Sequence, residues 1–209
     1  MNSSLQQIQT YFLEMQQIVA SIPADLVDRT VDILLDNAHC GGKVFICGNG
    51  GSASTATHFA ADLSKNTQVP GAPRFRAICL NDNIAAMTAW ANDTSYDNVY
   101  AGQLEPMLEP GDVVIGISCS GNSPNVINAL DLARQRGATT IGFTGDTGGQ
   151  LKKMVDLCLF APTPRIQQQE DVHLMLEHCI CSAIHERLTE AYAERPSIAL
   201  PILQEAVAA

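Results

Sequence analysis

Five short apolar segments, each followed by small or polar residues, constrain the fold of this chain more than any other feature. They lie at 43–47, 76–80, 112–117, 139–143 and 157–160. The first four precede stretches in which apolar residues recur with helical spacing, at 53–63, 84–92, 125–136 and 151–154. Apolar strands that alternate with helices are typical of a parallel sheet covered on both faces. The pattern predicts an α/β fold, a three-layer αβα sandwich around a five-stranded parallel sheet.

Helices are also predicted on both sides of this region. Two amphipathic helices are expected within residues 4–38, where apolar residues recur at spacings of three and four and Pro23 interrupts the pattern. One long helix is expected at 168–190, before Pro196 and Pro201 break any continuation. With 209 residues, the chain is expected to form a single domain spanning 1–209. Its core would be at about 40–190, the N-terminal helices at 4–38 and a peripheral tail at 196–209.

The charge and cysteine content exclude several classes of protein. The chain has 12 Lys and Arg against 22 Asp and Glu, a net charge of −10, and its longest basic run is a pair of lysines. Nucleic-acid binding, which needs clustered cations, is therefore not expected. No apolar run approaches the roughly 20 residues that span a bilayer, so we expect no membrane partner. The seven cysteines form no CxxC motif and are expected to be small core residues in a reducing compartment. This predicts a cytoplasmic protein.

Two of the strand-to-helix turns carry candidate anion-binding groups. The first, GNGGS at 48–52, opens a helix, so backbone N–H groups and the Ser52 hydroxyl can converge on an anion. Alternatively, Ser52 is simply a helix cap. The second places Ser118, Ser120 and Ser123 around another helix N-terminus, where a cap needs only one hydroxyl. Hydroxyls without a Lys or Arg fit a phosphate monoester held by neutral donors. For the glycine-rich turn at 144–149, backbone geometry alone is the favoured explanation.

These turns resemble a known family. GNGGSAS at 48–54, ISCSGNS at 117–123 and TGDTGG at 144–149 are similar to motifs of the sugar isomerase (SIS) domain. Within it, the chain resembles the sedoheptulose 7-phosphate isomerase (phosphoheptose isomerase) branch from about residue 5 to residue 190. The resemblance implies the SIS fold, a homotetramer and a sugar phosphate substrate. The residues that it implies in substrate binding are Asn49, Gly50, Ser52, Ser118, Cys119, Ser120 and Ser123, with Cys119 where family members often have Thr.

Candidate acid, base and metal-binding residues lie on two predicted helices. Isomerisation of an aldose and a ketose through an enediol needs a base for the proton alpha to the carbonyl, an acid for the oxygens and a group that polarises them. His58 and Asp62 are four residues apart and share a helix face, although a solvated helix surface would explain them equally. Glu170 and His178 are eight residues apart and also share a face, on a helix whose other residues are mostly apolar.

The resemblance implies roles for these four residues. The phosphoheptose isomerase branch builds a zinc site from a His and a Glu on the earlier helix and a Gln and a His on the later one. Laid on this chain, the ligands of a divalent metal, with zinc favoured, would be His58, Asp62, Glu170 and His178, with Asp62 as base and His178 as acid. Asp62 replaces the family's Glu and Glu170 its Gln, so both positions depart from the family pattern.

Two further positions have competing explanations. Gln167 follows Arg165 and Ile166 as the family's ligand Gln follows its Arg-Ile, so Gln167 competes with Glu170 for a metal or substrate role. Asp93 matches an Asp that contacts sugar hydroxyls in the family, whereas a helix C-terminal turn would also account for the Asn-Asp pair.

Three functions are compatible with this sequence. The first is a metal-assisted isomerase acting on sedoheptulose 7-phosphate to give a heptose 7-phosphate. The second is a non-catalytic, phosphosugar-binding SIS protein that serves as a tetrameric adaptor or regulator. Such relatives lack a carboxylate at the position of Asp62, so its presence favours the enzyme. The third is an isomerase or epimerase of a related sugar phosphate, which would explain changed ligands around a retained phosphate site.

Overall fold

The computed structural model describes residues 3–193, and the predicted tail at 196–209 lies outside them. Eight α-helices and five strands are formed in the described residues, together with one 3-10 turn at Tyr96–Asn98. The helices are α1 (Ser3–Ala20), α2 (Ala24–His39), α3 (Gly51–Lys65), α4 (Ile84–Asp93), α5 (Ala101–Leu104), α6 (Pro124–Gln135), α7 (Leu151–Met154) and α8 (Ile166–Tyr192). The strands are β1 (Lys43–Gly48), β2 (Arg76–Cys79), β3 (Val113–Ser118), β4 (Thr139–Thr144) and β5 (Leu157–Phe160).

The strands form one parallel sheet in the order β2-β1-β3-β4-β5. Gly48 at the end of β1 pairs with Ile117 of β3, and Ser118 pairs with Thr144 at the end of β4. The three central strands therefore end at the same edge of the sheet. Because the strand order reverses between β1 and β3, the helices that follow these two strands leave to opposite faces, and a crevice opens between them.

Both faces of the sheet are covered, as the apolar character of its strands requires. On one face, strand side chains such as Ile46 and Phe143 pack against α2, α3 and α8. On the other, side chains such as Phe45 and Val114 pack against α5, α6 and α7. The predicted fold class, an αβα sandwich around a five-stranded parallel sheet, is confirmed. The 3-10 turn and α5 are additions that the sequence pattern did not predict.

Helices α3 and α8 lie side by side and run in the same direction. Gly51, the first residue of α3, lies against the carboxyl group of Glu170 in the first turns of α8. Seven residues later on both helices, His58 faces Glu177, with 3.4 Å between His58 Nδ1 and Glu177 Oε1. The predicted site residues of both helices thus lie along the line of contact between α3 and α8. None of the helices within residues 3–193 is long and apolar enough to cross a bilayer.

Candidate active site

The serine-rich turn forms a cluster of hydroxyl groups at the crevice between β1 and β3. The Ser118 Oγ lies 3.0 Å from that of Ser123 and 3.4 Å from that of Ser120. Ser52, at the start of α3, is buried and lies on the other wall. An open cavity of about 230 Å³ lies here, and its lining residues are Asn49, Ser52, Ile117, Ser118, Cys119, Ser120, Ser123, Ile166 and Glu170. We call this cavity the hydroxyl pocket.

Neither helix N-terminus at the pocket uses its serine as a cap. Gly50 takes the cap position of α3 with a φ of 58°, so Ser52 lies inside the helix. Ser123 takes the cap position of α6 but makes no side-chain capping hydrogen bond, because its hydroxyl faces Ser118 instead. The alternative in which Ser52 is only a helix cap therefore does not describe this turn. The hydroxyls and the N-termini of two helices converge on one pocket, an arrangement that suits an anion.

The glycine-rich turn at 144–149 packs directly against the serine turn. Gly121 has a φ of 63°, and a Cβ there would lie 2.2 Å from the carbonyl oxygen of Gly148. Gly148 and Gly149 also have positive φ values, of 72° and 53°. The two turns thus pack backbone against backbone, which only glycine permits. This agrees with the structural explanation favoured for the turn from the sequence.

A second cluster of polar side chains lies further along α3 and α8. It joins His58, Asp62, Glu177 and His178, whose ligand atoms all lie within 4.8 Å of one another. The two imidazole Nε2 atoms are 3.4 Å apart, and Glu177 Oε1 is 3.3 Å from His178 Nε2. Asp62 Oδ1 lies 3.7 Å from His58 Nε2, and its Oδ2 lies 3.9 Å from His178 Nε2. We call these four residues the His-carboxylate cluster.

Glu177 is the buried member of this cluster. Its side chain is fully buried, and no hydrogen bond from residues 3–193 reaches either carboxylate oxygen. Burial, and secondarily the negative charge of Asp62, raises the pKa of Glu177 to about 8. A buried carboxylate without a hydrogen-bond donor calls for a proton or a cation. Two imidazoles and two carboxylates are a donor set that suits zinc and other borderline divalent metals, so the residues present fit a metal ion.

Glu170 lies outside this cluster, although the resemblance implies it as a metal ligand. Its carboxyl group lies against Gly51, where a Cβ would be 2.3 to 2.5 Å from the carboxyl atoms, and it lines the hydroxyl pocket. The reason is the position along α8. Glu170 lies seven residues before Glu177, about 10 Å along the helix axis, and so lies beside the hydroxyl pocket.

Two other candidates, Gln167 and Asp93, lie away from both groups of residues, and so does the histidine His173. Gln167 is exposed and does not line the hydroxyl pocket. Asp93 is exposed at the end of α4 and accepts a hydrogen bond of 2.8 Å from the side chain of Asn92. His173 is completely buried, with its Nε2 2.9 Å from the Thr144 carbonyl oxygen, and burial lowers its pKa to about 4. His173 is thus a neutral core residue that donates to the end of β4.

Access to the His-carboxylate cluster is open on one side. His58 is partly exposed and borders a cavity of about 670 Å³ between α3 and α4. Its other lining residues include Ser54, Thr57 and Asn81. A small polar molecule can therefore reach the imidazoles from solvent while the buried Glu177 stays covered.

Two residues of the site were given no role from the sequence. Glu177 precedes His178 on a stretch whose neighbours Leu176 and Ile180 are core residues. An acidic residue at a core-facing position next to a candidate ligand is the signal that would have identified it. Asn125, whose side chain bonds to that of Asn49, is one of many asparagines in polar turns, and nothing in the sequence pattern distinguishes it.

Comparison with known proteins places the chain in a family. The SIS domain matches residues 10–145. The phosphoheptose isomerase of Aliarcobacter butzleri (strain RM4018) is 41% identical over 186 residues, which cover 85% of this chain and 95% of that protein. The phosphoheptose isomerase of Trichlorobacter lovleyi is 38% identical over 192 residues, 90% of this chain and 94% of that protein. The solved structure of phosphoheptose isomerase GmhA from Neisseria gonorrhoeae superposes with a TM-score of 0.81 at 32% identity, over 87% of this chain and 98% of that chain.

Proposed function

Because the chain belongs to the SIS domain family and, within it, to the phosphoheptose isomerases, we propose that it is a sugar-phosphate isomerase that converts sedoheptulose 7-phosphate to a heptose 7-phosphate. The observation that carries this proposal is the placement of two different sites along one pair of helices. The hydroxyl pocket lies at the start of α3 and α8, and the His-carboxylate cluster lies two turns further on. An anion-binding site and an acid/base site that follow one another along the same helices would fit a substrate with a phosphate at one end and a carbonyl at the other.

The separation between the two sites suits a long sugar chain. Gly51 and His58 are seven residues apart on α3, and Glu170 and Glu177 are seven apart on α8. Seven residues of helix advance by about 10.5 Å. An extended seven-carbon sugar with its phosphate in the hydroxyl pocket would bring its first carbons to the His-carboxylate cluster. A three-carbon sugar phosphate held at the same pocket would not reach.

The hydroxyl pocket would bind the phosphate without a cationic side chain. Ser52, Ser118, Ser120 and Ser123 would donate from their hydroxyls. The N-terminal N–H groups of α3 would add donors, and the dipoles of α3 and α6 would favour a negative charge there. Among the residues that the structure describes, no Lys or Arg lines the pocket. Such a site recognises the phosphate by its geometry, because each donor has a fixed direction, while the surface of the protein keeps its negative charge.

The chemistry would be carried by Asp62 and His178. Asp62, as the base, takes a proton from C1 of the ketose, and an enediol forms as the C2 carbonyl oxygen gains a proton. Collapse of the enediol, with loss of the C1 hydroxyl proton and return of a proton to C2, gives the aldose. His178, within 3.9 Å of Asp62, is placed to exchange protons with the two oxygens. No atom is gained or lost overall.

A divalent metal, with zinc favoured, would be held by His58, Asp62, Glu177 and His178. Such an ion supplies a Lewis acid that polarises the carbonyl and hydroxyl oxygens of the substrate. Glu177 would contribute a carboxylate from the protein interior, which explains why its two oxygens are buried without a donor. Glu170 in the resemblance-based ligand set is replaced by Glu177.

Metal content and turnover, measured on the same preparations, test this proposal. Purified protein is expected to hold about one divalent ion per chain by elemental analysis, and to convert sedoheptulose 7-phosphate when the products are followed by NMR. The variant His58→Ala should lose the ion and lower turnover by about a hundredfold or more. His185→Ala is the matched control, since His185 is an exposed histidine on α8 outside the cluster.

Each negative result of these measurements would favour a different alternative. Turnover of a shorter or differently branched ketose phosphate, but not of sedoheptulose 7-phosphate, would contradict the assigned substrate and favour the related-sugar alternative. Phosphosugar binding without metal and without turnover on any substrate of the panel would overturn the enzymatic proposal and favour a binding module. Equal loss of metal in the His58 and His185 variants would contradict the assigned ligand set.

The same proposal includes the assembly and the compartment. A homotetramer is supported by the exposed apolar residues of α1, namely Leu5, Ile8, Phe12 and Leu13, because a patch of this kind usually packs against another chain. A cytoplasmic location is supported by the seven cysteines, all of which are free, as expected in a reducing compartment.

A further inference from the structure

The two phosphate-binding turns are joined by a pair of asparagine side chains. Asn49 Nδ2 donates to Asn125 Oδ1 at 2.9 Å, and Asn125 Nδ2 donates to Asn49 Oδ1 at 2.9 Å. Asn49 belongs to the turn between β1 and α3, whereas Asn125 lies in the first turn of α6, after the serine turn. The reciprocal amide pair therefore crosses the crevice between β1 and β3, directly beside the hydroxyl pocket.

Each amide is also fixed by further contacts. The side-chain oxygen Oδ1 of Asn49 accepts from the Tyr96 hydroxyl at 3.0 Å and lies 3.1 Å from the Tyr100 hydroxyl. Asn125 Oδ1 accepts from the backbone N–H of Val126 at 3.0 Å. With its donors and acceptors engaged in this way, neither amide is free to rotate without breaking several hydrogen bonds at once.

Burial makes this pair costly to disrupt. Asn125 is only 2% exposed, whereas Asn49 is half-buried, so removal of the Asn49 amide would leave that of Asn125 without a replacement donor or acceptor from water. The helices that carry the two turns pack on opposite faces of the sheet, α3 on one face and α6 on the other. Beyond the sheet itself, the amide pair thus fixes the distance between Ser52 on one wall of the pocket and the serine turn on the other.

We propose that Asn125 is a positioning residue for phosphate binding, acting through Asn49 to hold the two walls of the hydroxyl pocket at the separation that the substrate phosphate requires. Asn125 itself does not line the pocket and need not touch the substrate. This inference rests on the proposed function, since it assumes that the hydroxyl pocket binds the phosphate. It adds a residue that the sequence and the family resemblance left without a role.

The first test compares Asn125→Ala with the unaltered protein and with Gln135→Ala. Gln135 is an exposed amide on the same helix that bonds only to Asp131 among the described hydrogen bonds, so it controls for changes to α6. We expect Asn125→Ala to raise the KM for the sugar phosphate and the Kd for inorganic phosphate by about tenfold, since a small misplacement of binding groups has effects of this size. The kcat at saturation should change less than twofold, because the His-carboxylate cluster is untouched.

A double-mutant cycle separates positioning from general destabilisation. If Asn125 acts through Asn49, then Asn125→Ala should raise the Kd for phosphate much less in an Asn49→Ala background than in the unaltered protein. Tyr96→Phe removes one hydroxyl that bonds to Asn49 from an exposed side chain. It should fold normally and raise the Kd by a few-fold, which keeps the proposal testable if Asn125→Ala does not fold.

The outcomes distinguish this inference from the proposed function. Failure of the unaltered protein to bind inorganic phosphate or sugar phosphate would remove the proposed function and this inference together. Phosphate binding by the unaltered protein that Asn125→Ala leaves within twofold, or effects of the two asparagine variants that multiply independently, would overturn the positioning role alone. A fall in kcat with KM unchanged would also overturn it.

Discussion

Two glutamates on α8 show how a single residue's environment sets its role. Glu177 is fully buried and faces two histidines, so its carboxylate is available only to a proton or a cation. Glu170 lies seven residues earlier, against the first residue of α3, and lines the hydroxyl pocket. The same chemical group therefore belongs to the His-carboxylate cluster in one case and to the hydroxyl pocket in the other.

The position of Glu170 leads to a prediction about phosphate affinity. A carboxylate in the pocket repels a bound phosphate, by about 1 to 4 kcal/mol for unit charges 4 Å apart, depending on the local dielectric. Glu170→Gln should therefore bind inorganic phosphate about tenfold more tightly in isothermal titration calorimetry, with its metal content unchanged. Glu186→Gln, which removes one exposed acid from the same helix, should leave both properties as they are.

Metal analysis of Glu170→Ala decides between the two ligand sets, because glutamine is itself the family's ligand at this position and Glu170→Gln would keep a donor oxygen there. If Glu170→Ala loses its metal ion, Glu170 is a ligand, as the family resemblance implied. Loss of metal in Glu177→Ala, with Glu170→Ala fully loaded, is the result expected from the His-carboxylate cluster.

At the scale of elements, the close approach of helices to the central strands depends on small residues. Gly116 of β3 and Gly142 of β4 are paired neighbours in the sheet. A Cβ at Gly142 would lie 1.8 Å from the Leu151 Cδ2 of α7, and a Cβ at Gly116 would lie 2.7 Å from the Leu130 Cδ1 of α6. The two glycines thus let α6 and α7 pack directly on the strands whose ends form the site.

Filling this space should destabilise the fold through overpacking. Gly142→Ala is expected to lower the free energy of unfolding by about 1 to 3 kcal/mol, measured by urea denaturation. The double variant Gly142→Ala/Leu151→Ala removes the clashing methyl group, so it should be more stable than the sum of the two single changes predicts. Strict additivity of the two changes would show that Leu151 is not the source of the strain.

At the scale of the whole molecule, α1 is the element whose packing is least complete. It has no buried residue, although Met15 and Ile18 pack against the edge of the core. Leu5, Ile8 and Phe12, at spacings of three and four, share a face that points away from the rest of the chain and is half to two-thirds exposed. An apolar face of this kind on an 18-residue helix is expected to be covered by another copy of the chain.

This face predicts how the assembly can be taken apart. The double variant Ile8→Lys/Phe12→Lys should dissociate the tetramer expected for the unaltered protein, because two charges would have to be buried in the interface. Size-exclusion chromatography with light scattering, at micromolar concentration, measures the mass directly. Gln6→Lys, on the same helix but outside this face, should leave the assembly intact. A monomeric unaltered protein would contradict the predicted tetramer.

The sequence was most informative about the sheet and the hydroxyl pocket. The observed strand bounds differ from those predicted by no more than one residue, because continuous apolar runs between helical patterns have few alternatives as structures. The serines of the hydroxyl pocket were also found from sequence, since they follow strand ends, and the ends of parallel strands meet at one edge. Local pattern and topology together determine both features.

Only the tertiary structure decided which residues of α8 meet which residues of α3. Glu170 and Glu177 lie seven residues apart on nearly the same helix face, so periodicity does not distinguish them. The registration of α8 against α3, set by side-chain packing between the two helices and the sheet, brings Glu177 to His58 and Glu170 to Gly51. The pairing of Asn49 with Asn125 likewise joins residues 76 positions apart. Contacts of this kind depend on how separate elements pack, and the spacing of residues within one element does not encode them.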